Sequence, residues 1–144
     1  MEEDAMSASD LMTSNPVTVT PDTSVAEVWD LMRERGIRHV PIVDGAAVVG
    51  MVSDRDLAHF DLGRVLTADG AEAVRRELGM PIVKLMSTDV VTVEPDADLA
   101  EVIDLLLEFR IGAVPVVQPE SGDLVGIISY IDVLHAVRDA IDED

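Results

Sequence analysis

The sequence predicts an α/β fold of the α+β kind, built from two copies of one β-α-β-β-α unit. Three observations carry that expectation. The chain repeats itself, it carries apolar stripes at helical spacing, and it has short Val- and Ile-rich runs closed by turn residues. With Leu11–Val43 laid over Leu85–Val117, 17 of 33 positions are identical. The match resumes after a two-residue insertion, where Gly50-Met51-Val52-Ser53-Asp54-Arg55-Asp56 meets Gly126-Ile127-Ile128-Ser129-Tyr130-Ile131-Asp132.

Each element follows from its residues. Val17–Val19 and Val91–Val93 are short extended pieces, stopped by Pro21 and Pro95. A helix follows in each copy. Ser24-Val25-Ala26-Glu27 reads as a capping box, and Asp98-Leu99-Ala100-Glu101 is its counterpart. Val25, Val28, Trp29 and Met32 form one buried stripe; Leu99, Val102, Ile103 and Leu106 form the other. Glu27, Asp30, Glu34, Glu101, Asp104 and Glu108 fall on the opposite, solvated faces. His39–Val43 and Val48–Val52 read as paired strands around Asp44-Gly45. Ala113–Val117 and Leu124–Ile128 repeat the pattern around Pro119–Gly122. Their scarcity of polar alternation predicts burial on both faces. Ser53 and Ser129 then cap a second helix. A connecting segment carries one helical piece, Ala71–Leu78, ending at Gly79. The expected boundaries are 8–60 for the first repeat, 61–81 for the connection and 82–141 for the second repeat. One copy alone is too small to bury an adequate core, so two should pack together.

Composition narrows the function. The formal net charge is −19, which argues against nucleic acid and against an anionic membrane surface, because both need a cationic face. No apolar run approaches the roughly 20 residues that span a bilayer, and Met1-Glu2-Glu3-Asp4 is the opposite of a signal peptide. With no cysteine there is no disulfide frame, thiolate metal site or thiol nucleophile. The expectation is a cytoplasmic globular protein. Lys84 is the one lysine among ten basic residues, and acids number 29. That balance suggests a halophilic host, because at molar salt the Debye length is about 3 Å and self-repulsion is screened. A melting curve in rising KCl tests this; equal stability in dilute buffer and at high salt would refute it.

The repeat resembles the cystathionine-β-synthase (CBS) domain, and the tandem resembles the pseudo-two-fold pair called a Bateman module. The resemblance spans roughly Ala8–Ile141. It rests on Leu11-Met12, the Val-Thr-Val-x-Pro run, Ile37-Arg38-His39-Val40-Pro41-Ile42-Val43-Asp44 and Gly50–Asp56, in order and twice. It implies a cleft between the repeats that holds an adenosine-type ligand (AMP, ADP, ATP or S-adenosylmethionine), and pairing into a homodimer.

The resemblance also implies site residues. Asp56 and Asp132 are the ribose candidates, with Ser53 and Ser129 beside them; the same Ser-x-x-Asp spacing equally makes a helix N-cap. Arg38 and His39 occupy positions near phosphate in adenylate-sensing relatives, in reversed order here, and Arg55 adds a third cation; the pair reads equally as a basic helix–strand junction that offsets nearby acids. Arginine offers phosphate a bidentate fork. The second copy has Gly112-Ala113 and Ile131 instead, so its site lacks local cations. Val17, Thr18, Ile37 and Val40 are candidates for the adenine wall, and Pro41 is a ligand-binding candidate beside them. Val91, Thr92, Ile111, Val114 and Pro115 match them in the second copy, and each of these apolar positions has a plain core reading too. Tyr130 stacks on a base or simply opens a helix.

No nucleophile elbow, Walker A loop, H-E-x-x-H or G-x-G-x-x-G is present. His39, His59 and His135 lack metal-ligand spacing. The expectation is a stand-alone, non-catalytic sensor of an adenosyl metabolite. It needs no catalytic cofactor or metal, forms a homodimer and acts on an unidentified regulated protein. The alternative is a structural or dimerisation module of the same fold with vestigial sites.

Overall fold

The structure is a computed structural model and describes residues 6–58 and 70–142. Two compact units emerge. The N-repeat unit comprises residues 17–45 and 49–89; the C-repeat unit comprises 1–16, 46–48 and 90–144. These units cut across the sequence repeats, because each takes in the segment that precedes the other copy.

In the N-repeat unit, α2 (Val25–Arg35) packs on the hairpin β2 (His39–Asp44) and β3 (Ala47–Ser53). Ser24 caps α2 by accepting the Glu27 N–H at 3.1 Å. The reciprocal half of the expected box is absent: Glu27 instead receives the Ser24 hydroxyl at 3.4 Å. The start of α2 is tied to the connecting segment, through Val25 N–H to Met80 O at 2.9 Å and Ile82 N–H to Thr23 O at 2.7 Å. Gly36 ends the helix in the left-handed conformation, at φ 63°. Val25, Val28, Met32, Val40, Ile42, Val52, Leu57 and Ile82 form the core. The connecting piece is α3 (Gly70–Leu78), with Val74 buried, followed by a 3-10 turn at Ile82–Lys84.

The C-repeat unit has the same plan. A short α1 (Ala8–Leu11) and β1 (Thr13–Ser14) precede α4 (Leu99–Phe109), β4 (Ala113–Val117), β5 (Leu124–Ser129) and α5 (Tyr130–Asp142). The strands run β1-β5-β4, all antiparallel. Ala8, Leu11, Val93, Val102, Leu106, Val114, Val116, Ile128 and Val133 form its core. β4 is buried throughout, as its unbroken apolar run demands, whereas β5 alternates between buried and half-buried.

The exchange of leading segments has a steric basis. A Cβ on Gly126 would overlap Sδ of Met12, and one on Gly50 would overlap Sδ of Met86. Each bare glycine is therefore the seat for the methionine of the Leu-Met pair that enters its unit. Met51 and Ser87 add reciprocal backbone bonds of 3.0 and 2.8 Å, the counterpart of the Thr13–Ile127 pairing.

The second helix expected after Ser53 is a 3-10 turn, Asp54–Leu57, up to Ala58. The remainder of that expected helix, with His59, lies outside the described residues, as does most of the 61–81 connection before Gly70. The acidic faces of α2 and α4 are exposed as expected. Between described residues the one ion pair is Arg138–Asp139 at 3.5 Å, with both side chains exposed. Such an exposed pair contributes little. No helix among the described residues is long and apolar enough to cross a membrane.

Candidate ligand-binding site

Three backbone links fix the segments that carry the site residues along each hairpin. In the N-repeat unit, Val19 N–H donates to Pro41 O at 3.2 Å and Val43 N–H donates to Val19 O at 2.9 Å. The Val17–Val19 run thus lies parallel to β2, and that register sets Val17 level with Val40. At the open end of the hairpin, Asp54 N–H donates to Arg38 O at 2.8 Å, joining the entry of β2 to the exit of β3.

Ser53 and Asp56 form a full capping box on the 3-10 turn. Asp56 Oδ2 accepts the Ser53 N–H at 2.8 Å and the Ser53 hydroxyl at 3.2 Å, and Ser53 Oγ accepts the Asp56 N–H at 3.4 Å. So the N-cap reading of Ser-x-x-Asp holds. It engages only Oδ2; among the described residues Oδ1 has no hydrogen-bond partner. The carboxylate is held in place by its own cap, in a partly buried setting.

His39 stands beside it, half-buried at the start of β2. Burial pushes its pKa below the ordinary 6.5, the fields of Asp54 and Asp56 push it up, and Arg38 pushes it down again. His39, Arg38, Asp54 and Asp56 are therefore one electrostatic cluster. Arg55 is exposed on the same 3-10 turn, as Arg38 is just before β2. Asp54 is a member that sequence reasoning passed over. Its signal was its place directly after the capping serine.

The C-repeat unit builds the same frame bond for bond. Val93 N–H donates to Pro115 O at 3.1 Å, Val117 N–H to Val93 O at 2.9 Å, and Tyr130 N–H to Gly112 O at 2.9 Å. Asp132 Oδ2 accepts the Ser129 N–H at 2.8 Å and the Ser129 hydroxyl at 3.1 Å. Gly112, Ala113 and Ile131 supply no charge there, and Tyr130 is exposed at the first position of α5.

The wall candidates divide. Val17, Ile37, Val91 and Ile111 are half-buried, and Thr18 and Thr92 are exposed, so all six offer surface. The side chains of Val40, Pro41, Ala113, Val114 and Pro115 are buried in their cores, so their share of a site is backbone and support.

Two hollows lie within the units, and the first shares Ile37 and Asp54 with the candidate site. One of about 230 Å³, lined by Trp29, Met32, Arg33, Ile37, Asp54 and Leu57, sits between α2 and the 3-10 turn. The other, about 520 Å³, is ringed by Glu94, Asp96 and Glu101 and touches only Thr92 of the site candidates; its acids disfavour phosphate. Among the described residues no three His, Asp or Glu side chains group to hold a metal.

Comparison with known proteins agrees with this architecture. The CBS domain profile matches residues 8–63 and 82–139. The CBS domain-containing protein YhcV of Bacillus subtilis is 30% identical over 126 residues, covering 88% of this chain and 81% of that one. The inosine-5'-monophosphate dehydrogenase of Korarchaeum cryptofilum is 33% identical over 119 residues, 83% of this chain; the match spans only 22% of the dehydrogenase. Among solved structures, CBSX2 in complex with AMP, a CBS-pair protein of Arabidopsis thaliana, superposes with a TM-score of 0.76 at 28% identity, covering 93% and 97% of the two chains. The CBS domain pair of MJ0100, solved with 5'-methylthioadenosine and S-adenosyl-L-methionine, shares the fold with a TM-score of 0.76 at 23% identity, covering 94% and 98%. Two repeats of one fold, each matched by the same profile, make this chain a member of the CBS domain family with a tandem CBS pair.

Proposed function

We propose that this chain is a non-catalytic regulatory module that binds an adenosine-containing ligand at the capped hairpin ends. The observation that carries the reading is the cluster of His39, Arg38 and Asp56, a carboxylate fixed by its own cap beside a guanidinium and an imidazole. A carboxylate oxygen without a partner suits the paired hydroxyls of ribose, and Arg38 with His39 suits phosphate. The AMP held by CBSX2 supports this class of ligand. In the C-repeat unit the carboxylate remains and the cations are gone. That site therefore takes adenosine or an S-adenosyl compound, or stays empty, while the N-repeat site takes a phosphorylated adenosine. Binding favours one arrangement of a homodimer, and a regulated protein reads that arrangement.

Calorimetric titration with AMP tests the reading. Asp56→Ala should weaken binding about 10- to 100-fold, the worth of hydrogen bonds to a charged group, and Asp132→Ala should leave it unchanged. Equal losses would refute the division of labour. The second reading, a structural module, is favoured by the full engagement of both Ser-Asp pairs in caps. A thermal-shift panel of AMP, ADP, ATP, S-adenosylmethionine and NADH separates the two. A true ligand at 100 times its Kd stabilises by about 2.7 kcal/mol, and silence throughout supports the structural reading.

A further inference from the structure

The chain has seven methionines and no cysteine, so all its sulfur is thioether. Thioether sulfur is open to two-electron oxidation, which turns a flexible apolar side chain into a polar one. Met32 is buried in its core, whereas Met6, Met12, Met51, Met80 and Met86 are half-buried and within reach of a small oxidant. Two of these five sit on bare glycine backbone, and the two seats differ in how a change at sulfur could be absorbed. A Cβ on Gly126 would overlap Met12 Sδ and meet Met12 Cγ at 2.7 Å and Cβ at 3.0 Å, so sulfur and stem lie together on one stretch of backbone. Met86 meets Gly50 through Sδ, Cγ and Cε, the free end of its side chain, which can swing aside while the stem stays.

Met12 also belongs to a segment with few other holds. α1 is a single turn with only Ala8 and Leu11 buried, too short to stand as a helix on its own. Ala8 N–H donates to Ala97 O at 2.7 Å, Ser9 N–H donates to Pro95 O at 2.9 Å, and Thr13 and Ser14 pair with Ile127 and Gly126 over two residues. Met12 joins Ala8 and Leu11 on the core of the C-repeat unit, so it supplies a large share of the apolar contact that keeps residues 7–14 in place.

We propose that Met12 is an oxidation-sensitive latch, and that conversion of its thioether to the sulfoxide by a hydroperoxide releases residues 7–14 from the C-repeat unit. A lone pair on Sδ attacks one peroxide oxygen. The S–O bond forms as the O–O bond breaks, and the departing oxygen takes up a proton and leaves as water from hydrogen peroxide or as an alcohol from an alkyl hydroperoxide. Sulfur is oxidised by two electrons and the peroxide is reduced by two. The sulfoxide needs hydrogen-bond partners that an apolar core does not offer, and its stem cannot turn away from Gly126, so the segment leaves with it. A thiol-dependent sulfoxide reductase closes the cycle: two thiols become a disulfide, and the oxygen departs as water. The latch does not depend on the ligand reading.

Hydrogen exchange read by mass spectrometry, on the full chain across a series of hydrogen peroxide doses, tests it. As Met12 sulfoxide accumulates, exchange in residues 7–14 should rise about 5- to 150-fold, the range that burial of an unpartnered polar group corresponds to. A sulfoxide reductase with a dithiol should restore the protection. Met12→Leu keeps the seat filled at similar volume and should hold its protection through the same doses. Met86→Leu should respond like the wild type. The proposal is overturned if Met12 sulfoxide leaves exchange in residues 7–14 unchanged, if Met12 stays unoxidised at doses that convert Met6 and Met80, or if Met86→Leu abolishes the response. The dose series on the wild type decides the first two points without any variant.

Discussion

The two units share a backbone and differ in what they hang on it. The link from Arg38 O to Asp54 N–H, at 2.8 Å, recurs as Gly112 O to Tyr130 N–H at 2.9 Å. The Ser53–Asp56 box recurs as Ser129–Asp132 with the same 2.8 Å bond to the cap N–H. Everything that satisfies the main chain is kept in both copies: the Pro at the strand, the Ser-x-x-Asp turn, the glycine under the methionine. What differs is the side chain at each linked position, Arg38 against Gly112 and Asp54 against Tyr130. A position whose peptide group does the structural work leaves its side chain free to vary, and those are the positions where the two sites and the two surfaces diverge.

The largest difference in stability is expected at the methionine seats. At Gly126 an added Cβ would meet Cγ of Met12 at 2.7 Å and its Cβ at 3.0 Å, close to the backbone of the entering segment. At Gly50 it would meet Cγ of Met86 at 2.9 Å and Cε at 3.2 Å, atoms toward the free end of a flexible side chain. Overpacking of this kind costs about 1–3 kcal/mol. Gly126→Ala should fall at the upper end and Gly50→Ala at the lower end in urea unfolding. Equal losses would mean the two seats are equivalent, and the contrast between them would have to be dropped.

A smaller effect of opposite sign is expected at the helix ends. α2 closes on Gly36 at φ 63°, whereas α4 closes on Arg110 at φ 54°, a conformation that costs a residue with a Cβ about 1–2 kcal/mol. Arg110→Gly should therefore stabilise the chain by up to about 1 kcal/mol after the added freedom of the unfolded glycine is subtracted. Gly36→Ala should destabilise it by about 1 kcal/mol, although nothing would crowd the new methyl group. Midpoints of chemical denaturation read both. A destabilising Arg110→Gly would show that the Arg110 side chain contributes more than its backbone strain costs.

Much of this was legible in the sequence because it depends on residues close together along the chain. The stripes Val25-Val28-Met32 and Val102-Leu106 are buried where their spacing places them. The Ser-x-x-Asp spacing pointed to both boxes. The exchange of leading segments was not legible. Leu11-Met12 and Leu85-Met86 match each other and so must do the same job, but a match cannot say on which copy each one packs. Gly50 and Gly126 decide that through empty volume, which only the folded chain displays.

The smallest expected effect isolates a titrating group, His39, that only the N-repeat site holds. His39 has its pKa held below 6.5, chiefly by burial. The unfolded chain therefore takes up its proton first as pH falls. Stability from this group is complete above the unfolded value and is lost as pH drops from about 6.5 toward the folded pKa, after which it levels. His39→Gln should flatten that part of the pH–stability curve. The position matching His39 in the C-repeat unit is Ala113, which cannot titrate, so the slope should belong to the N-repeat unit alone. A phosphate placed beside His39 would raise its pKa, so AMP should bind with uptake of a proton and adenosine without it. Calorimetry in two buffers of different ionisation enthalpy reads this directly. If AMP shows no buffer dependence that His39→Gln abolishes, the phosphate does not lie against His39, and the asymmetry between the sites must be sought in Arg38.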